Sequence, residues 1–116
     1  MIAIVLTAVL ASGPAVASQE QPALQCNLGP TTEQVGGGNW IVYGCADGKS
    51  VVVVAATPNP AAPFIFIVTP DGNGVQLHGE GTGPKSATDP AYEQLKSMSA
   101  QQLKALYNKA AGSNGR

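Results

Sequence analysis

"WIVYGCADGKSVVVVAA", residues 40–56, decides the fold. Trp40–Cys45 and Ser50–Ala56 are runs of aromatic and β-branched residues, which favour the pleated, half-buried surface of a strand. Between them "ADGK" supplies a turn, because glycine takes positive φ without a steric penalty. The stretch predicts an antiparallel hairpin with Cys45 at its rim.

Working outward, "TPNPAAP" (57–63) carries prolines at 58, 60 and 63, which rule out a central strand there. "FIFIVT" (64–69) predicts a third strand, and "PDGNG" (70–74) turns it back into "VQLHGEGT" (75–82). Upstream, "ALQCNL" (23–28) alternates, with Leu24, Cys26 and Leu28 on one side, and predicts a half-buried strand. "GPTTEQVGGGN" (29–39) reads as a loop, made flexible by Gly36, Gly37 and Gly38.

The tail is helical. Asp89 followed by Pro90 predicts a helix start, with a second at the Ser99–Gln102 capping box. Leu103, Leu106, Tyr107 and Ala110 form one stripe at helical spacing. Two helices over 90–96 and 100–111 follow, with one long kinked helix as the alternative. The expected fold is α+β: a four- to five-stranded antiparallel sheet of two hairpins, with a C-terminal two-helix segment packed on one face. Val51–Val54 and Phe64–Val68 are apolar on both faces, more than one helical layer can cover. Either the sheet curls toward a barrel, or its second face meets a partner or a second copy.

The chain opens with an apolar run from Ile2 to Ala11, a Gly13-Pro14 break and Ala15-Val16-Ala17, the order of a secretory signal peptide. The run is short of the roughly 20 apolar residues that span a bilayer. Residues 1–17 are therefore expected to be a signal peptide, with a retained N-terminal anchor as the alternative. Residues 18–116 are expected to form a single small globular domain in the periplasm or outside the cell. Contact with a membrane is expected only if the segment is retained. In such an oxidising compartment Cys26 and Cys45, the only two cysteines, predict a disulfide that staples the N-terminal strand to the hairpin.

Six basic against seven acidic residues leave a net charge of −1, without the clustered basic surface that nucleic acid requires. "GEGTGPKS" (79–86) resembles a phosphate-binding loop in outline. However, Pro84 removes a backbone N–H that such a loop would aim at phosphate, so no nucleotide is expected. His78 is the lone histidine; with Glu80 it supplies two ligands where a metal site usually needs three or four. "DGNG" (71–74) lacks the later ligands of a calcium loop. No nucleophile elbow or placed carboxylate pair is evident, so neither an enzyme nor a cofactor is expected.

Gln76, His78, Glu80 and Thr82 line one face of the last strand by period-2 alternation. Most such rows are solvated surface. If the protein engages a partner, this row is the first candidate, with Trp40 and Tyr43 as aromatic anchors.

"YGCADGKSVVVV" (43–54) followed by "FIFIVTPDGNGVQL" (64–77) resembles the start of the periplasmic C-type lysozyme inhibitor family. Those small β-barrels share a Y-x-C-x-x-G motif and a disulfide. The resemblance implies a β-barrel and an inhibitory role. It ends after about 35 residues: the family's serine–glycine–tyrosine inhibitory segment is absent, a helical tail replaces the last strands, and no inhibitory residue carries over. The expected function is a small exported, non-enzymatic binding or inhibitor module for an unknown protein partner. The alternative is a structural, envelope-associated protein that self-associates through an apolar sheet face.

Overall fold

The computed structural model describes residues 24–112. The expected signal peptide, residues 1–17, lies outside them. Five strands follow in sequence: β1 (Leu28–Val35), β2 (Gly38–Gly44), β3 (Val51–Ala55), β4 (Phe64–Asp71) and β5 (Gly74–Gly81). They form one antiparallel sheet in the order β1-β2-β3-β4-β5, each strand paired only with its sequence neighbours. Helices α1 (Lys85–Lys96) and α2 (Ala100–Gly112) follow and pack on one side of it. The α+β expectation therefore holds.

Alternation divides the sheet into two faces. The helix-facing side carries Trp40 and Val42 from β2, Val51, Val53 and Ala55 from β3, and Phe66 and Val68 from β4, all in the buried core with Leu95, Leu103 and Ala110 from the helices. Registers Val42↔Val53 and Val53↔Phe66 align these side chains across the strands. Trp40 and Phe66 rings lie 5.4 Å apart, and Phe66 continues the aromatic row to Phe64 at 4.9 Å.

β1 corrects the expected order of elements. The segment read as a loop is a strand, in which Thr31, Glu33 and Val35 alternate with Thr32 and Gln34. Of the strand expected over 23–28, residues 24–27 form no regular element and only Leu28 belongs to β1, while Ala23 lies outside the described residues. Gly36 and Gly37, with φ of 59° and 86°, close a two-residue hairpin, so the glycines mark a tight turn rather than a floppy loop. α1 clamps that turn. The Gly36 amide donates to Gln94 Oε1 at 2.8 Å, and a Cβ on Gly36 would run into the backbone of Pro90 and Ala91.

α1 also begins earlier than the Asp89-Pro90 signal implied: it starts at Lys85 after Pro84, and Pro90 lies inside it. Ala87 and Thr88 amides donate to Pro84 O and close the first turn. The break at Ser97–Ser99 is where it was expected. The Ser99–Gln102 capping box forms in both directions, with Gln102 N donating to Ser99 Oγ at 3.0 Å and Ser99 N to Gln102 Oε1 at 2.9 Å.

Cys26 and Cys45 form a disulfide. Beside it, Ala46 N donates to Gln25 O at 2.7 Å, so the chain before β1 is tied to the β2–β3 turn by two links. Tyr107 from α2 lies on Gly44 and donates its hydroxyl to Cys45 O at 3.0 Å, which anchors the second helix to the same corner.

Candidate functional site: the open face of the sheet

Opposite the helices the sheet presents Ile41 and Tyr43 from β2, Val52 and Val54 from β3, and Ile65 and Ile67 from β4. The registers Ile41↔Val54↔Ile65 and Tyr43↔Val52↔Ile67 set these in two rows. Among the described residues no element packs on this side. Val52 is 8% exposed, whereas the other five are half-buried. The sheet is therefore open and two-faced, and does not close into the barrel that the resemblance implied.

Polar groups border the block on both sides. On β5, Gln76, His78 and Glu80 lie opposite Thr69, Ile67 and Ile65. His78 Nε2 and Glu80 Oε2 are 3.0 Å apart, with both side chains about two-thirds exposed. At the other border, Thr32, Asn39 and Ile41 meet the proline-rich loop through Thr57, Pro58 and Pro60, around a concavity of about 360 Å³. Asn59 holds that loop by donating to Asn39 O at 2.7 Å and accepting from Ala61 N at 2.8 Å.

The structure thus brings Tyr43 to the same face as Gln76, His78 and Glu80. Thr82 lies just past the end of β5, where its amide donates to Pro63 O. Trp40 is not with them: it is 1% exposed and lies in the core on the helix side. Positions 40 and 43 differ by an odd number of residues, so one strand cannot show both on one face. Val52, Val54, Ile65 and Ile67 of this face were detectable in sequence as the double-sided runs at 51–54 and 64–68, and Ile41 and Tyr43 as one side of the strand expected over 40–45.

Asp47 shapes the rim next to the disulfide. Its carboxylate accepts from the amides of Lys49 and Ser50 at 2.9 and 2.8 Å and from Ser50 Oγ at 2.6 Å. Partial burial acts to raise its pKa, but the Ser50 hydroxyl and amide, the Lys49 amide and the Lys49 charge outweigh that and hold it below the usual carboxylate range. Among the described residues no three His, Cys, Asp or Glu side chains come together. Compared with family models, curated proteins and solved structures, the chain finds no match.

Proposed function

We propose that the protein is a small exported, non-enzymatic binding or inhibitor module that seats a protein partner on the open face of its sheet. The observation that carries this reading is the block of Ile41, Tyr43, Val52, Val54, Ile65 and Ile67, left uncovered among the described residues and framed by polar side chains. With strands about 4.8 Å apart and same-face neighbours about 6.8 Å apart, the block covers on the order of 200 Å². It can form the apolar centre of an interface, with Gln76, His78, Glu80, Thr32 and Asn39 as its rim. The partner it fits is a folded protein with a matching apolar patch. The disulfide is compatible with an oxidising compartment and supports export.

Self-association through the same face is the second reading, favoured by the absence of charge from the six-residue block. Two copies sandwiched there would bury roughly 400 Å² of apolar block, the same area per chain that a partner would cover, so the oligomeric state of the isolated protein separates the two readings.

The test compares wild type with Ile65→Asp and Ile67→Asp in capture from periplasmic or extracellular extracts, followed by titration with the purified partner. Both variants should lose binding about tenfold or more while melting cooperatively. Unchanged binding in both variants would overturn the reading. An oligomer that wild type forms and both variants lose would transfer the face to self-association.

A further inference from the structure

The two edges of the sheet differ. β1 contains Pro30, has a register irregularity between Leu28 and Thr31, and carries the Glu33–Lys109 ion pair at 2.8 Å. These are the devices that discourage another strand from adding to an edge. β5 lacks the proline and the register break, and its one charged pair, His78–Glu80, lies within the strand itself. Its eight residues pair with β4 without a break, from Asp71↔Gly74 to Phe64↔Gly81, and it contains neither proline nor lysine.

The hairpin fixes which backbone groups on β5 are free. With a two-residue turn at Gly72–Asn73, hydrogen-bonded and non-hydrogen-bonded pairs alternate from Asp71↔Gly74 onward. Gln76, His78 and Glu80 therefore exchange hydrogen bonds with β4, and the continuation of this parity is seen where Thr82 N donates to Pro63 O. Val75, Leu77, Gly79 and Gly81 consequently point their N–H and C=O groups away from the sheet.

We infer that a second copy of this chain adds to this edge, β5 against β5 antiparallel, about a two-fold axis at Gly79. This register is selected by side-chain chemistry. With Gly79 opposite its symmetry mate, His78 of each copy stands opposite Glu80 of the other, and Gln76 opposite Thr82. Shifting the axis to His78 or to Glu80 would set like groups against each other, which antiparallel neighbours disfavour. In the Gly79 register the existing His78–Glu80 pair of each copy joins its mate in an alternating cluster of four groups. Opposite side chains there are in non-hydrogen-bonded positions, with Cα atoms about 4.5 Å apart.

The outward backbone groups match in the same register. Gly79 pairs with Gly79, and Leu77 with Gly81, giving about six main-chain hydrogen bonds between copies. On the helix side the seam is narrow in side chains. Phe64 and Phe66 lean over Gly79 so closely that a Cβ there would lie 2.9 and 3.0 Å from them. Phe64, Phe66 and Tyr92, with Lys85, Thr88 and Asp89 of α1, line a groove of about 330 Å³ at this edge. Leu77 of the second copy, standing opposite Gly81, covers that groove. The pairing leaves the six apolar residues of the open face free and shares with the partner reading only the rim residues Gln76, His78 and Glu80.

Sedimentation equilibrium of the exported, disulfide-bonded protein from about 1 to 500 µM is expected to give a dimer with a dissociation constant in the micromolar range. His78→Glu, which sets four acids together, should weaken it about tenfold or more; H78E/E80K should restore it. Both positions are exposed, so the monomer fold tolerates the changes. Hydrogen exchange supplies the second readout: Leu77, Gly79 and Gly81 amides should gain protection as concentration rises, while Gln76, His78 and Glu80 amides stay protected throughout. A monomer at every concentration would overturn the inference. So would a dimer that His78→Glu leaves intact and that does not protect the odd-numbered amides. A dimer lost in Ile65→Asp but kept in His78→Glu would locate association on the open face instead.

Discussion

At the residue scale, Asp47 and Gly44 each hold one corner of the molecule. Asp47 accepts three hydrogen bonds that close the β2–β3 turn, so Asp47→Ala should destabilise the protein by about 1–2 kcal/mol in denaturant titration. Because its pKa is lowered in the folded state, its contribution is complete above the unfolded value near 4 and is lost as pH falls through the folded one. The wild type should therefore lose stability toward acid from about pH 4 downward, and Asp47→Ala should show a shallower slope there. Gly44 is governed by contact. A Cβ on it would lie 3.0 Å from the Tyr107 ring, so Gly44→Ala should displace the ring and cost about 1–2 kcal/mol. The Asp47-Gly48 turn was legible because its chemistry is local. The Gly44–Tyr107 contact was not, because its two residues are 63 positions apart and meet only once α2 docks.

At the element scale, what was legible followed the strength of the local signal. β2 to β5 and α2 carry long apolar patterns or a two-sided cap, and the sequence located them. Ser99→Ala should remove one side of the box and destabilise α2 by about 1 kcal/mol, seen as earlier amide exchange at Leu103 and Lys104. β1 was missed because its buried side uses Thr31, Glu33 and Val35, only one of them apolar. Glu33 is placed there by Lys109 of α2, a partner that its own neighbourhood does not reveal. The start of α1 was misplaced for a related reason. Asp89-Pro90 is a strong local start signal, but Gly36 and Gln94 fix the helix over the β1–β2 turn, and the chain from Lys85 winds up to reach it. The polar row on β5 was legible from alternation alone; the partner it faces across the sheet, Ile65 and Ile67, required the register.

At the scale of the whole molecule, one sheet has two unequal sides. Val53→Asp places a carboxylate in the sealed core and should cost more than about 3 kcal/mol, preventing folding or lowering the melting point steeply. Val52→Asp, on the open face, should cost distinctly less and should instead weaken partner binding. Equal losses in thermal melts of the two variants would contradict the difference in layers. Reducing Cys26–Cys45 should remove about 3 kcal/mol and lower the melting temperature on the order of 15 °C. The neighbour-to-neighbour order of the strands sets the sequence of events as the chain is synthesised. Each hairpin can close as soon as its second strand emerges, because no strand waits for a distant mate. The covering of Trp40, Val53 and Phe66 cannot: Leu103 and Ala110 arrive last, so a nascent chain halted near residue 84 is a sheet bare on both sides. Such a chain should bind hydrophobic dye, be cut readily by protease and engage a holding chaperone, all of which should cease once α2 has been released.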